Sequence, residues 1–204
     1  MDAPHRFNPD GNERLTAATG LVLLVLSAAE VATLLLGLRQ TLSWHVAIGL
    51  MLLPPIALKL CSTGWRFLRY YTRNEEYRLR GAPQILMRLL APLLVFFTVV
   101  LFGSGVAMGF LHGQALQVAR NLHGPAAAGW LIVIGAHVLV YIPRALRETA
   151  ADVTPGTRRK ARGAVLRIWA LAAAIVAGLV VAVATIPMQH PWLHLPAKHE
   201  RGDE

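Results

Sequence analysis

Apolar residues along this chain neither alternate nor keep to one helical stripe; they come in long runs. Windows of about 20 residues with little charge fall at roughly 15–38, 44–65, 88–111, 123–143 and 166–187. At about 1.5 Å per residue each run spans about 30 Å as an α-helix, the hydrocarbon thickness of a bilayer. Inside lipid the backbone must satisfy its own hydrogen bonds, and the alternation of barrel strands is not visible. The pattern predicts an all-α integral membrane protein. It has five transmembrane helices over residues 15–187, a leader over 1–14 and a tail over 188–204.

Composition agrees with the pattern. In 204 residues the hydrophobic share is 55%, high for a soluble domain of that size. "LSAAE" offers small residues at the spacing of a signal cleavage site, yet the apolar run continues through "VATLLLGL" and the leader is comparatively acidic. The first run is therefore read as an uncleaved span. The single cysteine, Cys61, has no internal disulfide partner and falls within a span.

The net charge of +9 acquires meaning from its placement. Arg66, Arg69, Arg73, Arg78, Arg80 and Arg88 follow the second span; Arg144, Arg147, Arg158, Arg159, Lys160, Arg162 and Arg167 follow the fourth. The opposite connections carry Arg39 and Arg120, and the tail Lys198 and Arg201. By the positive-inside rule the two basic loops are cytoplasmic, giving N-in/C-out topology. Topology and anionic headgroups then account for the basic charge, and nucleic acid is not an expected partner. "NEEY" and "ADVTPGTRRK" mark turns in the inner loops, and Pro54 and Pro55 are expected to kink the second span.

Ionisable side chains in a membrane are costly and mark functional candidates. His123 and His137 bound the uncharged stretch "HGPAAAGWLIVIGAH". Fourteen positions at about 1.5 Å separate them by roughly 21 Å along one helix, and about 100° per residue returns them to nearly the same face. Two b-type haems stacked across a bilayer need this arrangement, each iron taking an imidazole from the helix. Spans two and four run in the same direction, so His45 is expected to meet His123 near the outer face. Gly49, one turn on, leaves room for a flat macrocycle, as do Gly103, Gly105 and Gly109.

The inner half is less regular. Fourteen residues beyond His45, where a fourth histidine would partner His137, stands Lys59. Its ammonium is open to three roles: snorkelling to the interface, pairing with a haem propionate, or ligating iron. Arg66, Arg69, Arg144 and Arg147 stand where inner propionates would be, although topogenic charge explains them equally. Glu30 suits a proton relay, a quinone headgroup, or a neutral carboxyl bonded to a neighbouring helix. His112 is a reserve ligand on the outer side. The tail histidines His190, His194 and His199 match no compact metal motif.

"WHVAIG", "KLCSTGWRFLRYY" and "LHGPAAAGWLIVIGAHVL" resemble segments of the bacterial membrane cytochromes b, the cytochrome b561-like group, over about residues 40–147. The resemblance implies a haem-binding transmembrane subunit of the bacterial inner membrane with one or two haems b. It would pass electrons between the quinone pool and a partner redox subunit, whether a molybdopterin, iron–sulfur or cytochrome protein. Carried onto this chain, it makes His45 and His123 the axial ligands of the outer haem iron and His137 a ligand of an inner one. The fourth histidine is missing, so the inner iron would be five-coordinate or absent. With no substrate-binding soluble domain in view, the chain is expected to be an electron-transfer subunit of an oxidoreductase complex, without chemistry of its own. The competing reading is a haem-free polytopic protein, either a proton-coupled transporter using Glu30, Lys59 and His137 or a membrane anchor; no inverted repeat supports the transporter.

Overall fold

The computed structural model describes residues 9–72, 85–153 and 163–187, and within them the chain is helical with short connections. Five helices follow in order: α1 (Pro9–Leu35), α2 (Leu38–Tyr71), α3 (Ile85–Met108), α4 (Gly113–Val153) and α5 (Ala164–Ala184). Each contains a stretch long and apolar enough to cross a membrane.

The helices outrun the apolar windows. α2 continues to Tyr71, and α4 begins ten residues before His123 and ends at Val153. Hydropathy marks where lipid ends, whereas the helix stops only when backbone geometry changes. "RALRETAADV" is built largely of good helix formers, so α4 carries on past its apolar part. α2 likewise runs through Pro54 and Pro55 without a break in its assignment.

Connections between neighbours are tight where they are described. Leu36 and Gly37 alone join α1 to α2; Gly37 holds φ at 99°, a conformation that favours glycine. Thr41 clamps this turn from α2, donating its hydroxyl to Thr33 O at 2.6 Å and Gly37 O at 3.0 Å. Residues 109–112 join α3 to α4. Connections this short make the helices they join antiparallel neighbours.

α1 packs on α2, α4 and, less extensively, α5; α3 packs chiefly on α4 and touches α2 lightly; α5 lies against α2. Thus α2 and α4 share α1 and α3 as flanking neighbours. The interior is small and polar: Ala119, Ala126 and Ala182 are buried with Thr19, Thr33, Ser62, Thr98 and Ser104. Large apolar side chains such as Trp44, Phe96, Ile132 and Trp169 face outward. A bundle in lipid gains nothing by hiding leucine, but gains from close backbone approach and internal hydrogen bonds. Two crossings depend on glycine: a Cβ on Gly178 would strike the Met51 carbonyl, and one on Gly129 would strike the Phe97 ring. Near the α3–α4 crossing Trp130 donates its indole N–H to Thr98 Oγ1 at 3.0 Å.

Candidate functional site

Two polar clusters divide the bundle by depth. The first contains His45 on α2 and His123 on α4, whose rings lie with centroids 6.3 Å apart and planes at 84°. Depth matching along parallel-running α2 and α4 places them level, and side chains from α1 and α3 fix their orientation.

On the α1 side, His45 Nδ1 lies 2.9 Å from Glu30 Oε1 and 3.1 Å from Thr33 Oγ1. The Thr33 hydroxyl donates its proton to Glu30 O at 2.6 Å, so toward His45 its oxygen acts as acceptor. On the α3 side, His123 Nδ1 lies 3.0 Å from Leu101 O and 3.1 Å from Ser104 Oγ. Ser104 likewise spends its proton, on Leu101 O at 2.9 Å. Both Nδ1 atoms therefore face acceptors only, and each must carry the hydrogen. In the neutral imidazole that leaves a lone pair on Nε2. Neither Nε2 has a hydrogen-bond partner among the described residues.

Glycine supports this arrangement differently from the sequence expectation. The space at Gly49 adjoins the Glu30 carboxylate, whose Oε1 would lie 3.3 Å from an added Cβ. Gly49 thus makes room for His45's partner. Gly105 does the same for His123, whose ring carbon would lie 3.1 Å from its Cβ, whereas Gly103 faces open space. The Glu30 carboxyl is bonded to the neighbouring helix α2 through His45.

The second cluster joins α1 to the far half of α2. Lys59 Nζ donates to Thr16 O at 2.6 Å, and Gly20 clears the ammonium, which would lie 2.9 Å from a Cβ there. Ser62 accepts from Asn12 Nδ2 at its carbonyl and from Thr16 Oγ1 at its hydroxyl, both at 2.9 Å. Arg66 pairs with Glu13 at 3.1 Å, where the carboxylate is largely buried. The Lys59 ammonium is bound to the α1 backbone. Arg69 stacks over Trp65 at 4.6 Å, and Arg147 is exposed on α4.

His137 lies farther along α4, its ring 4.7 Å from that of Tyr141 and within electrostatic reach of Lys59. Its Nδ1 is buried without a hydrogen-bond partner. In that it differs from His45 and His123: among the described residues no acceptor fixes its tautomer, and no second imidazole stands opposite. His112 is exposed at the α3–α4 connection. The side chains of Arg88 and Arg144 lie outside the described residues, as do Arg73, Arg78, Arg80 and the tail histidines.

No family model, curated protein or solved structure matches the chain. The site has to be read from its own chemistry. Among the described residues no group of three or more His, Cys, Asp or Glu is arranged to hold a metal ion. The His45–His123 site is a pair, suited to a metal that brings its remaining ligands with it.

Haem b is such a group, and His45 and His123 are the residues that would hold it. An imidazole nitrogen sits about 2 Å from the metal it ligates, so two rings on opposite sides of one metal have centres roughly 6 Å apart. That separation also suits an edge-to-face ring contact. The tautomer separates the two cases: metal-bound histidines characteristically donate their other N–H to a carboxylate or carbonyl, as both rings do here. At the inner position Lys59 and Arg66 are bound to α1, and among the described residues His137 has neither a second imidazole opposite nor an acceptor at Nδ1.

Proposed function

We propose that this chain is a b-type cytochrome of a bacterial inner membrane, holding one haem between His45 and His123 and passing electrons between the quinone pool and a partner redox subunit. The observation that carries the reading is the double Nδ1 anchoring. Two adjacent imidazoles, each with its proton committed to a neighbouring helix, leave two Nε2 lone pairs with no hydrogen-bond donor among the described residues. Ligation to one iron would give both lone pairs a partner.

Bound haem would supply one-electron chemistry. The chain's contribution is positional. Glu30 and Thr33 hold the His45 ring from α1, and Leu101 and Ser104 hold the His123 ring from α3. Gly49 lets Glu30 approach His45, and Gly105 admits the His123 ring beside α3. With the amino terminus inside, the pair lies toward the outer face, so the redox partner is an external or outer-leaflet one. Electrons would come from quinol diffusing in the bilayer or from a molybdopterin, iron–sulfur or cytochrome subunit.

The test is the dithionite-reduced minus oxidised spectrum of the purified protein, with the haem-to-protein ratio. One haem per chain with Soret and α-band changes is expected, and its loss in both His45→Ala and His123→Ala. A protein with no such bands leaves a haem-free membrane anchor as the reading; a ratio of two would return His137 to the ligand set.

A further inference from the structure

Glu30 is an acid placed where lipid makes acids costly. Its side chain is 18% exposed; Oε1 meets His45 Nδ1 at 2.9 Å, and Oε2 is buried with no hydrogen-bond partner. Among the described residues no lysine or arginine pairs with it, in contrast to Glu13, which has Arg66. The histidine N–H is therefore the principal group its charge acts on. Across the site the matching acceptors of His123 are uncharged, a backbone carbonyl and a hydroxyl. The two rings are anchored by the same kind of geometry but by partners of different charge.

We infer that Glu30 is a positioning residue that makes His45 the electron-rich member of the pair and thereby holds the midpoint potential of the bound haem low. The inference rests on the proposed haem between His45 and His123. A carboxylate accepting Nδ1–H raises the basicity of Nε2. A more basic axial nitrogen favours the ferric over the ferrous state, and second-shell hydrogen bonding is one of the levers by which protein sets a haem potential. Gly49 belongs to the device: a methyl group there would meet Oε1 at 3.3 Å, so the carboxylate would have to shift by a few tenths of an ångström from its place beside the ring.

Redox titration of the haem-loaded protein tests this with three variants. Glu30→Gln keeps an acceptor for Nδ1–H and removes the charge; it is expected to retain the wild-type haem ratio and shift the midpoint potential positive. Gly49→Ala, which leaves the acid in place but displaced, is expected to shift it in the same direction by less. Ser104→Ala, on the uncharged side, is expected to shift it least. If Glu30→Gln and Gly49→Ala both hold haem at the wild-type potential, the inference fails while the cytochrome reading stands. If Glu30→Gln does not fold, Gly49→Ala decides alone. Wild-type protein without haem would instead remove the reading on which the inference rests.

Discussion

Thr33 and Ser104 occupy equivalent posts on opposite sides of the histidine pair. Each hydroxyl bonds the carbonyl three residues earlier in its own helix, Glu30 O and Leu101 O, and turns its oxygen to the Nδ1 of a histidine on the next helix. Both are buried. Spending the hydroxyl proton within the helix converts an ambiguous donor and acceptor into an acceptor, and that choice determines which imidazole nitrogen is left for a ligand.

Removing one post should loosen the site without abolishing it. Thr33→Ala and Ser104→Ala each leave a second acceptor, Glu30 Oε1 or Leu101 O, for the same N–H. Haem affinity is expected to fall about tenfold in each, the lower end of what outer-shell partners contribute. Transfer of haem to a competing apoprotein measures it, and unchanged transfer rates in both variants would contradict the anchoring argument.

Lys59 offers a sharper distinction. Its ammonium is committed to Thr16 O across the α1–α2 interface, so Lys59→Met should leave the haem ratio and the band positions as they are. The stability change should be small, within about 1 kcal/mol, because a lost charge-assisted bond is offset by relief of a buried charge. A shifted Soret band in this variant would make the lysine an iron ligand after all.

The α2–α5 contact should depend on a residue with no side chain. A Cβ on Gly178 would meet the Met51 carbonyl, which is backbone and cannot rotate aside. Gly178→Leu is expected to destabilise the bundle by about 1–3 kcal/mol. The thermal unfolding midpoint in detergent should fall accordingly.

The N-in/C-out orientation proposed from the arginines is tested by labelling. In a Cys61→Ser background, Thr157→Cys in the basic loop after α4 should react with a membrane-impermeant maleimide only in inverted vesicles. His194→Cys in the tail should react only in intact cells. The reverse pattern would put the histidine pair at the inner face and with it the side on which a redox partner docks.

Helical spans, their number and the shared depth of His45 and His123 were legible in the sequence, because they follow from two local quantities: the length of apolar runs and the rise per residue of a helix. Helix ends were less legible. α4 continues through "RALRETAADV" because charge ends a lipid-facing stretch without ending a helix. Gly49 and Gly105 were visible as space, but what would fill the space was not.

The partners of the site were decided by tertiary structure. Thr33, Ser104 and the Leu101 carbonyl look in sequence like ordinary small residues and backbone in apolar helices, and only the rotation of α1 and α3 about their axes turns them toward the two rings. Glu30 was conspicuous, yet its link to His45, like those of Lys59 to Thr16 and Arg66 to Glu13, depends on how α1 lies against α2. Hydropathy is a property of one helix and can be summed along it. A hydrogen bond between helices depends on their relative rotation and offset, and those are set by the whole packed bundle at once.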